Sequence, residues 1–82
     1  MKFLVTYHYK PQDSEEVWGR FKNMPQPDFE IVYPATHIVG TNEGFAVIEL
    51  EDINVWHKYA TKFRDLVVYK TQPILDAREA LV

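Results

Sequence analysis

The sequence predicts an α+β sandwich of four strands and two helices, its sheet covered on both faces. Three observations lead there. Extended segments of period two alternate with helical segments in the order strand, helix, strand, strand, helix, strand. The strands are apolar on both sides: Phe3, Val5, Tyr7 and Tyr9 stand opposite Leu4, Thr6 and His8, and Phe45 and Val47 opposite Ala46, Ile48 and Leu50. A sheet with one solvated face would alternate apolar and polar residues. Finally, Pro34 lies inside the second extended segment, where a residue without an N–H is tolerated only at an edge or a bulge.

The first strand runs from about Lys2 to Tyr9 and stops at Lys10-Pro11. Asp13-Ser14-Glu15-Glu16 reads as a helix start, with Asp13 as cap, Glu16 three residues on, and acidic side chains suited to the dipole. Val17, Phe21 and Met24 share one face of that helix with Trp18 at its edge, and Pro25 and Pro27 close it. The second strand spans Phe29–Val39. Gly40-Thr41-Asn42-Glu43-Gly44 forms a hairpin loop with glycine at both ends, and Phe45–Leu50 follows as the third strand. Asp52 caps a second helix over 53–63, whose apolar side carries Ile53, Trp56, Tyr59, Ala60 and Phe63. Leu66–Thr71 is the last strand, ended by Pro73, and Asp76-Ala77-Arg78-Glu79 starts a short terminal helix.

The order βαββαβ is that of a ferredoxin-like sandwich: a four-stranded antiparallel sheet, both helices on one face, and the second strand at an edge. That edge accommodates Pro34. Residues 1–82 form a single domain, small enough that one core is only marginally sufficient. No cysteine is present to supply a disulfide or a thiolate metal site. The second apolar sheet face therefore predicts association.

Composition narrows the function classes. A hydrophobic fraction of 46% with 26% charged residues marks a globular rather than a disordered chain. The net charge of −3 argues against binding to phosphate backbones, so no nucleic acid is expected. No apolar run approaches the ~20 residues of a membrane span, and the first strand begins at Lys2 without a leader, so the expectation is a soluble cytoplasmic protein.

Several segments carry a family resemblance: the opening Met1-Lys2-Phe3-Leu4-Val5-Thr6-Tyr7, His37, Gly44-Phe45-Ala46-Val47-Ile48-Glu49, Asp52, Trp56 and Pro73-Ile74-Leu75-Asp76. In these the chain resembles the dimeric α/β-barrel superfamily, and within it a family of short stand-alone domains of unknown function. The resemblance implies a homodimer whose sheets pack face to face, using the second apolar face. The superfamily includes cofactor-free monooxygenases, isomerases, haem-handling enzymes and ligand-sensing domains, so it fixes an architecture and leaves function open.

Candidate chemistry rests on few residues. His8, His37 and His57 have no i, i+4 partner and no carboxylate at a ligand spacing, so no metal site and no cofactor is expected. His8 and Thr6 share one face of the first strand and His37 lies near the end of the second, so antiparallel pairing allows two of them to meet in a common cavity, where a histidine can shuttle a proton near neutral pH. The plainer reading makes these hydrogen-bonded strand residues, and His57 a solvated one. Tyr7, Tyr9, Tyr33, Phe45, Trp56, Tyr59 and Tyr69 are aromatics able to line a pocket for a flat apolar ligand, and Trp56 and Tyr59, on the inner side of the second helix, are the best placed. Against that stands their ordinary use as core. Tyr7, Tyr9 and Phe45 suggest base stacking on a sheet, but the basic signature of RNA-recognition strands is missing. Lys58, Lys62 and Arg64 complement a helix C-terminus, while Glu49, Glu51 and Asp52 form an acidic cluster with Asp52 as its cap. Ser14 is the only serine, which leaves a serine nucleophile implausible.

The candidate pocket is thus Thr6, His8, His37, Trp56 and Tyr59. The expected function is binding of a small apolar or aromatic molecule by a homodimer joined through its sheet face. The alternatives are a cofactor-free, monooxygenase- or isomerase-like enzyme using His8 or His37, and a pure protein-assembly module.

Overall fold

The computed structural model describes residues 1–81 and has the predicted ferredoxin-like α+β fold. Strands β1 (Lys2–Tyr9), β2 (Glu30–His37), β3 (Glu43–Glu49) and β4 (Val67–Ile74) form one sheet in the order β2-β3-β1-β4, with every neighbouring pair antiparallel. Helices α1 (Ser14–Lys22) and α2 (Ile53–Thr61) lie on one face, and a single turn of helix, α3 (Ala77–Ala80), follows β4. The core sits between the two main helices and the sheet. Val5, Ile48, Leu50 and Trp56 form one buried cluster, and Tyr9, Val17, Phe63 and Val67 the other.

These clusters settle which sheet face meets the helices. Val5 and Tyr9 are buried with residues of α1, α2 and the α2–β4 turn, so the Phe3, Val5, Tyr7, Tyr9 side of β1 is the helix side. Leu4, Thr6 and His8 point the other way. Across the register their neighbours on that open face are Val47, Phe45 and Glu43 of β3 and Gln72, Lys70 and Val68 of β4.

Both edge strands contain proline, as a missing ladder donor requires. On β2, Pro34 falls within an irregular stretch where the register with β3 shifts on either side of Tyr33. On β4, Pro73 pairs with Phe3 and does not end the strand, which continues to Ile74. The sequence expectation of a strand closed at Thr71 is corrected here, because an edge strand can carry proline without losing a bond to its one neighbour.

The helix starts differ from one another. Asp52 caps α2 through its Oδ1, which accepts from the Asn54 N–H at 2.9 Å, and Asp76 does the same for Arg78 at 2.8 Å. Asp13 makes no side-chain cap bond. A short 3-10 turn over Pro11–Asp13 runs straight into α1, which leaves Asp13 at φ −94°, ψ 2° rather than in the extended conformation a cap needs. The helix α2 ends at Thr61, earlier than predicted. Tight turns then bring Phe63 into the core, where it is 1% exposed.

Arg20 joins the two helical connections. Its guanidinium donates to both carboxylate oxygens of Asp65 at 2.7 and 3.0 Å, to the Lys62 carbonyl at 3.1 Å and to Glu16 at 3.0 Å. This bidentate geometry is the strong form of an Arg–carboxylate pair. It fixes α1 against the turn that follows α2.

Candidate functional site

One row of residues crosses all four strands on the helix side. His37 of β2 stands opposite Gly44 of β3, Gly44 opposite Tyr7 of β1, and Tyr7 opposite Tyr69 of β4. Gly44 is the enabling residue. A Cβ there would collide with the Thr36 carbonyl and the Tyr7 hydroxyl, so only a glycine lets the Tyr7 ring lie across β3 towards His37. The sequence reading placed Gly44 in the hairpin loop. That is corrected: the loop covers residues 38–42, its turn is made by Gly40 at φ 84°, and Gly44 is a buried strand residue.

His37 is held on several sides. Its Nε2 lies 2.8 Å from the Thr41 carbonyl, which can only accept, so Nε2 carries the proton and Nδ1 is left as an acceptor. Tyr7 Oη lies 3.4 Å from that Nδ1, a long contact, and the two rings are stacked with centroids 6.4 Å apart. Trp18 meets the imidazole edge-on at 5.2 Å while its indole N–H donates to Tyr9 Oη at 3.0 Å. The acceptor nitrogen of His37 is therefore aimed along the sheet towards Tyr7.

Above this row, between the sheet and the helix layer, lies a cavity of about 480 Å³. Its walls are Tyr7, His37 and Tyr69 of that row, Val5, Ala46 and Ile48 of the sheet, residues of α1 and α2, and Met24, Pro25, Gln26, Pro27 and Phe29 of the connection between α1 and β2. At its far end Phe29, Trp56, Tyr59 and Tyr69 form an aromatic wall with centroids 5.2–5.8 Å apart, and Trp56 Nε1 donates to Thr71 Oγ1 at 3.0 Å. Among the described residues no Asp, Glu, Lys or Arg lines the cavity. Its size falls within the roughly 300–1,000 Å³ of small-molecule sites, and its character, apolar walls with a few polar groups, is theirs too.

The phenols facing it are held neutral. Burial, and to a lesser extent the neighbouring Tyr9, raises the Tyr7 pKa above the usual 10.0. Burial also raises Tyr59. Tyr69 is raised furthest, first by burial and then by the proximity of Tyr59 and Tyr7. All three are hydroxyl donors at neutral pH and none is a ready phenolate.

Of the residues the sequence singled out, His37, Trp56 and Tyr59 line this cavity together, whereas Thr6 and His8 do not. Thr6 is flanked by Phe45 and Lys70, and His8 by Glu43 and Val68, on the open face. The grouping of all five in one pocket is corrected on that point, because strand alternation sends Thr6 and His8 away from Tyr7. His57 is exposed on α2. The acidic cluster disperses: Asp52 is the α2 cap, and Glu49 reaches the Met1 amino group at 3.3 Å. Among the described residues no three His, Cys, Asp or Glu side chains gather as metal ligands, and no helix is long and apolar enough to cross a membrane. Gly44 is the residue the sequence reading missed, and Tyr69, named there among the pocket-capable aromatics, falls outside the five-residue candidate pocket. Tyr69 shares the β4 alternation with Val67 and Thr71, which is the signal that assigns it to the helix side.

These features define a small ferredoxin-like domain with an uncharged, ligand-sized cavity between helices and sheet. The chain belongs to a family described as a domain of unknown function (DUF3303), whose model matches residues 1–82. No curated protein matches it.

Proposed function

We propose that this domain binds a small apolar or aromatic molecule in the helix-side cavity, and that it does so as a homodimer joined through the open sheet face. The observation that carries the binding reading is the cavity of about 480 Å³, walled by aromatic and aliphatic side chains with His37 and Tyr7 as its polar end. A cleft of this size with apolar and aromatic walls and a few polar groups has the usual form of a small-molecule site. The dimer is supported by the apolar character of the opposite face. Leu4, Phe45, Val47, Tyr33 and Val68 share it, and Tyr33 stacks on Phe45 at 5.7 Å. Such patches mark interaction sites on small proteins.

A neutral apolar dye tests the binding reading. Nile red added to the protein should shift its emission to the blue and saturate at one dye per chain. Ala46→Leu, which narrows the cavity from the sheet side, should weaken that binding while the circular dichroism spectrum stays the same. Dye binding untouched by Ala46→Leu, or none at all, would contradict the reading.

His37 favours a second reading, a cofactor-free enzyme in which it accepts a proton. Its donor nitrogen is committed to Thr41, and its acceptor nitrogen faces the cavity end. In that case His37→Ala abolishes turnover of a bound substrate while His8→Ala leaves it unchanged. Loss in both, or in neither, removes this reading. A domain serving only in assembly would bind no dye in its cavity.

A further inference from the structure

The cavity's polar groups select the ligand's chemistry, and this inference rests on the binding reading above. Among the described residues its walls contain no Asp, Glu, Lys or Arg, so a cationic ligand would be desolvated with no counter-charge and an anionic one would find only His37 at the polar end. What the walls do contain is hydroxyl donors. Tyr7 and Tyr69 stand side by side in the β1–β4 register, and Tyr59 reaches the same space from α2, in stacked contact with Trp56, which in turn meets Tyr69 edge-on. The three phenols are close enough that Tyr59 and Tyr7 both oppose ionisation of Tyr69.

The hydroxyl bonds within the protein do not use up these donors. Among the described residues Tyr59 and Tyr69 hydroxyls have no hydrogen-bond partner, and Tyr7 has only the 3.4 Å contact to His37. Neither Tyr59 nor Tyr69 is sealed away from open space. A phenol in an apolar cavity is best satisfied by an acceptor brought in by the ligand. The sheet row forms the cavity's floor, and the rings of Trp56, Tyr59 and Phe29 close one end. We infer that the cavity takes a neutral planar molecule bearing a carbonyl-type oxygen, with the aromatic body against Trp56 and Phe29 and the oxygen accepting from the Tyr59 and Tyr69 hydroxyls.

Three probes of one shape separate the contributions: 2-acetonaphthone with a neutral carbonyl, naphthalene with no acceptor, and 2-naphthoate with a charge. Affinities are read from tryptophan fluorescence, since Trp18 and Trp56 both line the cavity and are the chain's two tryptophans. The ketone should bind about tenfold or more tightly than either other probe, the worth of one or two hydrogen bonds. Tyr69→Phe and Tyr59→Phe, which remove a hydroxyl and little else, should shrink the preference over naphthalene. Naphthalene or naphthoate binding as tightly as the ketone would overturn the inference and leave the binding reading standing. A ketone preference unchanged in Tyr59→Phe and Tyr69→Phe alike would overturn it as well. Failure of all three probes to bind would take down the binding reading and the inference together.

Discussion

Tyr7 lies over Gly44, and its ring occupies the space that any other residue at position 44 would fill. This contact across the β1–β3 ladder turns a row of backbone pairs into a site. It frees the phenol to reach towards His37, whose own pairing partner is again Gly44. Gly44 is thus selected by its neighbours on both sides, not by a turn.

Gly44→Ala should therefore destabilise the domain by roughly 1–3 kcal/mol, the cost of overpacking a filled site. The Thr36 carbonyl is backbone and cannot swing away, so β2 must shift as well. Urea denaturation measures the loss. Tyr7→Ala added to Gly44→Ala should restore part of it, and a Gly44→Ala protein as stable as the parent would contradict the packing described here.

The Arg20–Asp65 pair predicts behaviour at the acid side. Bidentate bonding to Arg20 holds the Asp65 carboxyl below its usual 3.8. A carboxyl whose folded-state pKa is depressed contributes its full stabilisation above the unfolded value and loses it as pH falls through the folded one. Arg20→Ala and Asp65→Asn should each lower the melting temperature at pH 7, and the double variant should lose little more than either alone. The penalty should fade as pH falls below 3.8 and through the depressed folded-state value, and diminish in high salt, as for an exposed pair. Additive losses in a thermal melt would show that the two residues act separately.

At the alkaline side the phenols dominate. Tyr69 has a folded-state pKa raised above 10.0, so its contribution is complete below pH 10 and is lost as pH rises towards the folded value. The part of the ~295 nm phenolate absorbance that comes from Tyr7, Tyr59 and Tyr69 should rise together with loss of structure, not ahead of it. Tyr69→Phe should move the alkaline unfolding midpoint upward. Full ionisation of all five tyrosines in a still-folded protein would contradict the burial described.

The open sheet face yields a prediction about mass. Val47 lies there beside Leu4 and Tyr33, so Val47→Asp should halve the mass measured by light scattering while leaving the fold and the cavity intact. A mass unchanged by this substitution would remove the proposed dimer face.

Much of this architecture was legible in the sequence. Pro34 marked an edge strand, and the spacing of Trp56, Tyr59 and Phe63 marked the inner side of α2. His37 was recognisable as a strand-end histidine with access to a cavity. What alternation could not decide was which face of β1 is inner, because Phe3, Val5, Tyr7 and Tyr9 are opposed by a nearly equally apolar set. That ambiguity drew Thr6 and His8 into the candidate site and left Tyr69 out. Gly44 was misread because glycine near a hairpin is ordinarily a turn residue, and its true reason is a tyrosine 37 positions away in the chain. The Pro73 error has the same root: a proline ends a central strand but not an edge one, and the edge is known only once the sheet order is known.

The most direct test of the account is a titration of isotope-labelled protein with 2-acetonaphthone, followed by amide and indole correlation spectra. Shifts should concentrate at the indole signals of Trp18 and Trp56 and at the amides of Tyr7, His37, Gly44 and Tyr69, and Thr6, His8 and Val68 should be spared. Shifts confined to the open face, or none at saturating ketone, would contradict the claim that the helix-side cavity is the binding site.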